Sequence, residues 1–168
     1  MKYMQQGGFQ THSLMKLTIG LTLLFLAGLW VTNLLLYFSK MGLAPSSVVS
    51  YYFGSEAEFT AARTYQSMLE VTHFHLPMMA LVILLLTHLL IFAPYKNGAK
   101  VAFILTAFLS ALANEASSWL VRFVSPGFAY LKVGSFLIFQ GTLFFLIVSL
   151  ALFLWSSPSS QKHKHGGS

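Results

Sequence analysis

Four long apolar runs, separated by short polar breaks, organise the chain. They predict helices at about 14–38, 66–92, 99–124 and 128–155, each longer than the roughly 20 residues that span a bilayer's hydrocarbon core. The breaks hold helix-stopping residues: Pro94 and Gly98 after the second run, Ser125-Pro126-Gly127 after the third, and Ser156-Ser157-Pro158 after the fourth. The expected fold is all-α: one four-helix transmembrane bundle over 14–155, with antiparallel neighbours. Residues 1–13 read as a polar tail and 156–168 as a polar, disordered one. The first run is too long for a signal-peptide core, and Lys40-Met41-Gly42 lacks a small-residue cleavage site, so it is expected to remain as a span.

The least apolar stretch is the connection 39–65, which contains Gly42, Pro45 and Gly54. Ser55-Glu56-Ala57-Glu58 has a capping residue followed by acids, so a short surface helix is expected to start after Ser55. Tyr51, Tyr52, Phe53 and Tyr65, with Trp119, Phe123 and Tyr130, are expected to form an aromatic belt at that face. Gly20 and Gly28 in the first span, and Gly134 and Gly141 in the fourth, suggest close helix approach.

Composition agrees with the pattern: 56% of the 168 residues are hydrophobic and only 8% charged, against about 25% charged in soluble domains. The net charge of +6 comes from Lys and Arg scattered between spans, which suits topology and phospholipid contact. Without a basic face there is no nucleic-acid footprint. One side of the bundle has Lys2, Lys16, Lys96, Lys100, Lys162 and Lys164; the other has Lys40, Arg63, Arg122 and Lys132, with Glu56 and Glu58. The richer side is expected in the cytoplasm, together with both termini, in a cell membrane of bacterial inner-membrane type. The absence of Cys excludes thiolate metal sites, cysteine nucleophiles and covalent c-type haem. No Asp, phosphate loop or His-Glu-x-x-His motif is present, which speaks against hydrolase and nucleotide-driven chemistry.

Ionisable groups inside spans are costly and default to functional candidates. The second span contains Glu70, His73, His75, Pro77 and His88; the third contains Asn114, Glu115 and Arg122. Glu70 and His73 are three apart and share a face with His88, whereas His75 is turned about 160° from His73. His73 is therefore expected to face the bundle and His75 to face outward. With the second and third spans antiparallel, Glu115 falls level with Met78; Asn33 and Gln140 fall near Val71 and Leu81. These polar groups are expected to gather in the outer half.

Three chemistries suit them. Glu70, His73 and Glu115 offer carboxylate and imidazole ligands for a transition metal. His73, His75 and His88 offer axial ligands for haem b: the separation along one span resembles the histidine helix of membrane cytochromes b, over that helix alone. No other span has a histidine, so haem would need Met78 or Met79, a homodimer or a partner subunit. That reading makes the protein a small subunit of a membrane electron-transfer system, an oxidoreductase component if it belongs to an enzyme. The alternative is a non-enzymatic membrane protein whose His/Glu cluster is structural or conducts protons or ions.

Overall fold

The computed structural model describes residues 12–56 and 59–156. Five helices follow in order: α1 (Ser13–Phe38), α2 (Pro45–Phe53), α3 (Tyr65–Leu90), α4 (Asn97–Phe123) and α5 (Ala129–Trp155), the last entered through a 3-10 turn, Pro126–Phe128. All but α2 are long and apolar enough to cross a membrane. The protein is an all-α, four-helix transmembrane bundle. Gly20, early in α1, lies against Leu154 and Trp155 at the end of α5, so these two helix ends meet at one end of the bundle. That end is called the terminal end below; the opposite one is the α2 end.

α5 is the hub, packing against the other four helices and most extensively against α4. Side-chain size explains the pairing. Ala107, Ser110, Ala111, Ser117 and Ser118 line the buried side of α4, leaving room for Phe136, Phe139, Leu143 and Leu146 of α5. Close approach thus rests on α4's small residues. Around Gly28, Gly134 and Gly141 there is open space, which corrects the role expected of those glycines. α1 and α3 are more peripheral, and their exposed Leu24, Phe25, Leu81 and Leu84 face the acyl chains in a bilayer.

α3 packs through Met68, Thr72, His75, Met79, Ile83, Leu86 and Leu90. The spacings of three and four make a single seam along the helix. Helix α3 runs through Pro77 without ending. Its start is capped by the Thr64 side chain, which accepts from the Ser67 amide at 3.1 Å.

The connecting segment departs from expectation. Its helix lies before Ser55, not after it. Pro45 occupies the first turn of α2, where its missing N–H costs nothing, and the Ser47 hydroxyl accepts from the Gly42 amide at 2.8 Å. Gly54 then ends α2 with φ +85°, a conformation that side-chain-bearing residues avoid; a Cβ there would meet the Thr60 carbonyl oxygen at 2.5 Å. The tight return pairs Ser55 with Thr60 in an isolated antiparallel bridge. Of the acids that suggested a helix start, Glu56 falls in a turn and Glu58 lies outside the described residues. So do the two polar tails, apart from His12, Ser13 and Ser156.

Candidate functional site

At the α2 end the bundle encloses a cavity of about 180 Å³. Its wall draws on every helix: Asn33 and Tyr37 of α1, Tyr52 of α2, Thr72 and His75 of α3, Asn114, Glu115 and Ser118 of α4, and Lys132 and Gln140 of α5. Lys40 and Arg63, from the connections flanking α2, also line it.

Glu115 is its acidic centre. It is only 7% exposed, and each carboxylate oxygen has a partner on α3: the Thr72 hydroxyl donates to Oε1 at 2.5 Å, and His75 Nδ1 lies 3.3 Å from Oε2. Thr72 is itself held by the Trp119 indole N–H at 2.9 Å, so the hydroxyl's proton is directed at the carboxylate. Among the described residues, His75–Glu115 is the one ion-pair contact.

Lys132 is the basic centre, 6% exposed near the start of α5. Its ammonium donates to the Asn114 carbonyl and the Ser118 hydroxyl, both at 2.9 Å. Ser118 also accepts from the Tyr52 hydroxyl at 2.8 Å, which ties α2 to the same cluster. Burial pushes the Tyr52 phenol well above its ordinary range, so it remains a neutral donor at any physiological pH. Glu115 and Lys132 attract one another across the site without touching, and this offsets part of the cost of burying each.

Two acceptors are left over. Asn114 Oδ1 and Gln140 Oε1 are buried and have no protein partner, and both residues line the cavity. An unsatisfied buried carbonyl costs roughly 1–3 kcal/mol, so two in one cavity call for an occupant, water or ligand. Gln140 is held in place by its backbone, whose carbonyl accepts from the Trp30 indole at 3.0 Å.

Several expected site residues fall elsewhere. His73 is exposed on the outer surface of α3, its ring edge-on to Phe74, while His75, itself half-exposed, is the histidine whose ring reaches Glu115. This reverses the expected facing. The stripe Glu70–His73–His88 holds most of the ionisable groups, but the packing seam of α3 lies on the opposite side. Glu70 is exposed and accepts from Gln66 at 3.2 Å, so Glu70, His73 and Glu115 do not assemble as metal ligands. Among the described residues no group of three or more His, Asp or Glu side chains is placed to hold a metal. His88 is exposed against Phe92, and the three histidines do not converge. Tyr52, expected in the aromatic belt, is turned inward.

Asn33, Asn114, Glu115 and Gln140 do line one cavity. Sequence reasoning missed Lys132, Thr72 and Tyr52 as members of the site. The available signal was Lys132's spacing: at four and seven residues before Phe136 and Phe139, it lies on the packing face of α5.

No curated protein and no solved structure matches the chain significantly. Residues 42–163 match the Aq_1264_TM family, described as a transmembrane helical domain; the matched span runs from before α2 to beyond α5 and takes in most of the cavity wall. With well over half its length matched, the chain belongs to the Aq_1264_TM family of transmembrane helical domains.

Proposed function

We propose that this protein is a membrane-embedded binding protein whose cavity at the α2 end receives a small polar molecule or head group. One observation carries the reading: two buried amide oxygens without a protein partner, Asn114 Oδ1 and Gln140 Oε1, belong to residues that line a cavity also lined by a buried carboxylate and a buried ammonium. A network built only to fasten helices would satisfy its own members. This one satisfies Glu115 and leaves the amides open.

Size and surroundings narrow the role. At about 180 Å³ the cavity is smaller than the roughly 300–1,000 Å³ of pockets that enclose whole drug-sized ligands. It suits a small solute or one group of a longer molecule. Towards the terminal end the bundle is filled by Leu86, Leu90, Leu146, Leu150 and Leu154. That apolar packing favours binding from one side over conduction of ions or protons. The placement of the histidines favours binding over a haem- or metal-bearing electron-transfer subunit.

The cavity is assigned to the non-cytoplasmic side of a cell membrane. Of the four cations counted at the α2 end, Lys132 is buried in the bundle and so does not act as a flanking charge. Six cations then oppose three, Lys40, Arg63 and Arg122, and both termini are cytoplasmic.

The stability of Gln140→Leu separates a binding site from a fastening network. Leu removes an unsatisfied carbonyl at similar volume, so thermal unfolding in detergent should show unchanged or higher stability, by up to about 1 kcal/mol. A loss of more than about 1 kcal/mol would mean that the amide is a structural partner and would overturn the proposal.

A further inference from the structure

The wall's charge and hydrogen-bonding capacity specify the occupant further; the inference rests on the binding role just proposed. Lys40, Arg63 and Lys132 line the cavity against one carboxylate, Glu115, whose two oxygens already have partners in Thr72 and His75. Even with no charge counted on His75, these groups leave the wall with an excess of positive charge. Lys132 spends two of its three N–H groups on Asn114 and Ser118. Arg63 is fixed at the wall, its guanidinium 4.3 Å above the Tyr51 ring and its carbonyl accepting from Arg122 Nε at 2.8 Å. A positioned guanidinium with uncommitted N–H groups is suited to a carboxylate or phosphate.

A bare anion does not complete the site. Asn114 Oδ1 and Gln140 Oε1 only accept, and a fully ionised phosphate or carboxylate has no proton to give them. Gln140 is only 5% exposed, so a partner for its amide has to come from within the cavity. An ammonium would donate to the amides but would add positive charge to an already cationic wall. Hydroxyl groups donate to the amides without adding charge, and they can also accept from Lys132. At roughly 30 Å³ per water the cavity has room for the volume of about six waters, enough for a short polyol chain with an acid group.

We propose that the occupant is a hydroxyl-bearing anion of the glycerol-phosphate type, with its acid group at Arg63 and Lys40 and its hydroxyls at Asn114 and Gln140. Two sources supply that chemistry: the head group of an anionic glycerophospholipid, entering from the leaflet at the α2 end, and a free polyol phosphate from the aqueous side. Arg63 and Lys40 sit in the connections on either side of α2, within reach of both.

The full chain would be purified in detergent and tested on two arms. In the lipid arm, native mass spectrometry compares retention of phosphatidylglycerol, phosphatidic acid and phosphatidylcholine. In the soluble arm, thermal shift compares glycerol 3-phosphate with inorganic phosphate and with glycerol. Selective retention of phosphatidylglycerol identifies the lipid source; selective stabilisation by glycerol 3-phosphate identifies the soluble one. In either case Arg63→Gln and Gln140→Leu should each weaken the effect about tenfold, and Lys40→Gln, at an exposed position, less. Phosphatidic acid held as well as phosphatidylglycerol, inorganic phosphate acting as well as glycerol 3-phosphate, or no preference on either arm would overturn the proposed ligand class. If Gln140→Leu is nevertheless as stable as the parent, the binding role stands and only its ligand falls.

Discussion

The two halves of this bundle are made from the same four long helices and solve opposite problems. Towards the terminal end, Leu23 and Leu26 of α1, Ile83, Leu86 and Leu90 of α3 and Leu146, Leu150 and Leu154 of α5 form an apolar core. The polar side chains there cause no trouble: the Thr87 and Ser110 hydroxyls bond to the Ile83 and Ala107 carbonyls of their own helices. Towards the α2 end the same helices contribute Asn33, Thr72, His75, Asn114, Glu115, Lys132 and Gln140 to a cavity. Stacked Tyr37 and Phe136, with ring centroids 3.6 Å apart, belong to the smaller apolar cluster beside it. One half is a seal whose Thr87 and Ser110 hydroxyls are satisfied within their own helices. The other keeps two amide oxygens unsatisfied, and such an arrangement persists in a folded protein where function requires it.

Breaking each half in turn should expose the difference. Glu115→Ala should have the largest effect, a loss of about 3–5 kcal/mol, because it strips Lys132 of its counter-charge and leaves Thr72 and His75 without their acceptor. Leu86→Ala in the seal should cost about 2–5 kcal/mol through the void it leaves, and restoring volume with Met should recover most of it. Glu115→Gln, which keeps shape but removes charge, should recover only part of the Glu115→Ala loss. Chemical denaturation in detergent measures both series. Equal rescue in the two halves would mean that packing, not charge, governs the α2 end.

A smaller effect separates the two histidines. His75→Ala removes a hydrogen bond to a buried carboxylate and should cost about 1–2 kcal/mol. His73→Ala alters an exposed, lipid-facing ring and should stay within about 0.5 kcal/mol. The reverse order would place the Glu70–His73–His88 face against the bundle.

These histidines also show where sequence reasoning reached its limit. Length and hydropathy made the four spans legible, because a bilayer imposes a thickness that any spanning helix must match. Antiparallel succession then made depth legible, which is why Asn33, Asn114, Glu115 and Gln140 could be placed in one half. Rotation about each helix axis was not legible in the same way. In water an apolar stripe marks the buried face; α3 is apolar on nearly all sides because lipid replaces water. The face had to be inferred from the polar residues, and those chosen, Glu70, His73 and His88, turned out to be exposed on the far side. The spacing Met68–Thr72–His75–Met79–Ile83–Leu86–Leu90 contained the answer, since every step in it is three or four residues. Lys132 was obscured for a related reason: a lysine near a helix start reads as a flanking topological charge, and only its register with Phe136 and Phe139 marks it as inward. The helix between Pro45 and Phe53 was overlooked because Glu56 and Glu58 gave a competing helix-start signal; Gly54 instead ends the helix with a left-handed φ.

The central claim, a polar cavity open to one side and closed by an apolar seal, is tested most directly by single-cysteine accessibility along α5. The chain contains no cysteine, so each substitution is the only thiol present. Gln140→Cys and Leu146→Cys would be placed in proteoliposomes of known orientation and treated with a small, membrane-impermeant thiol reagent from either side. Gln140→Cys should react from the α2 side only, and Leu146→Cys from neither. Reaction of Leu146→Cys, or of Gln140→Cys from both sides, would reveal a continuous aqueous path and contradict the account.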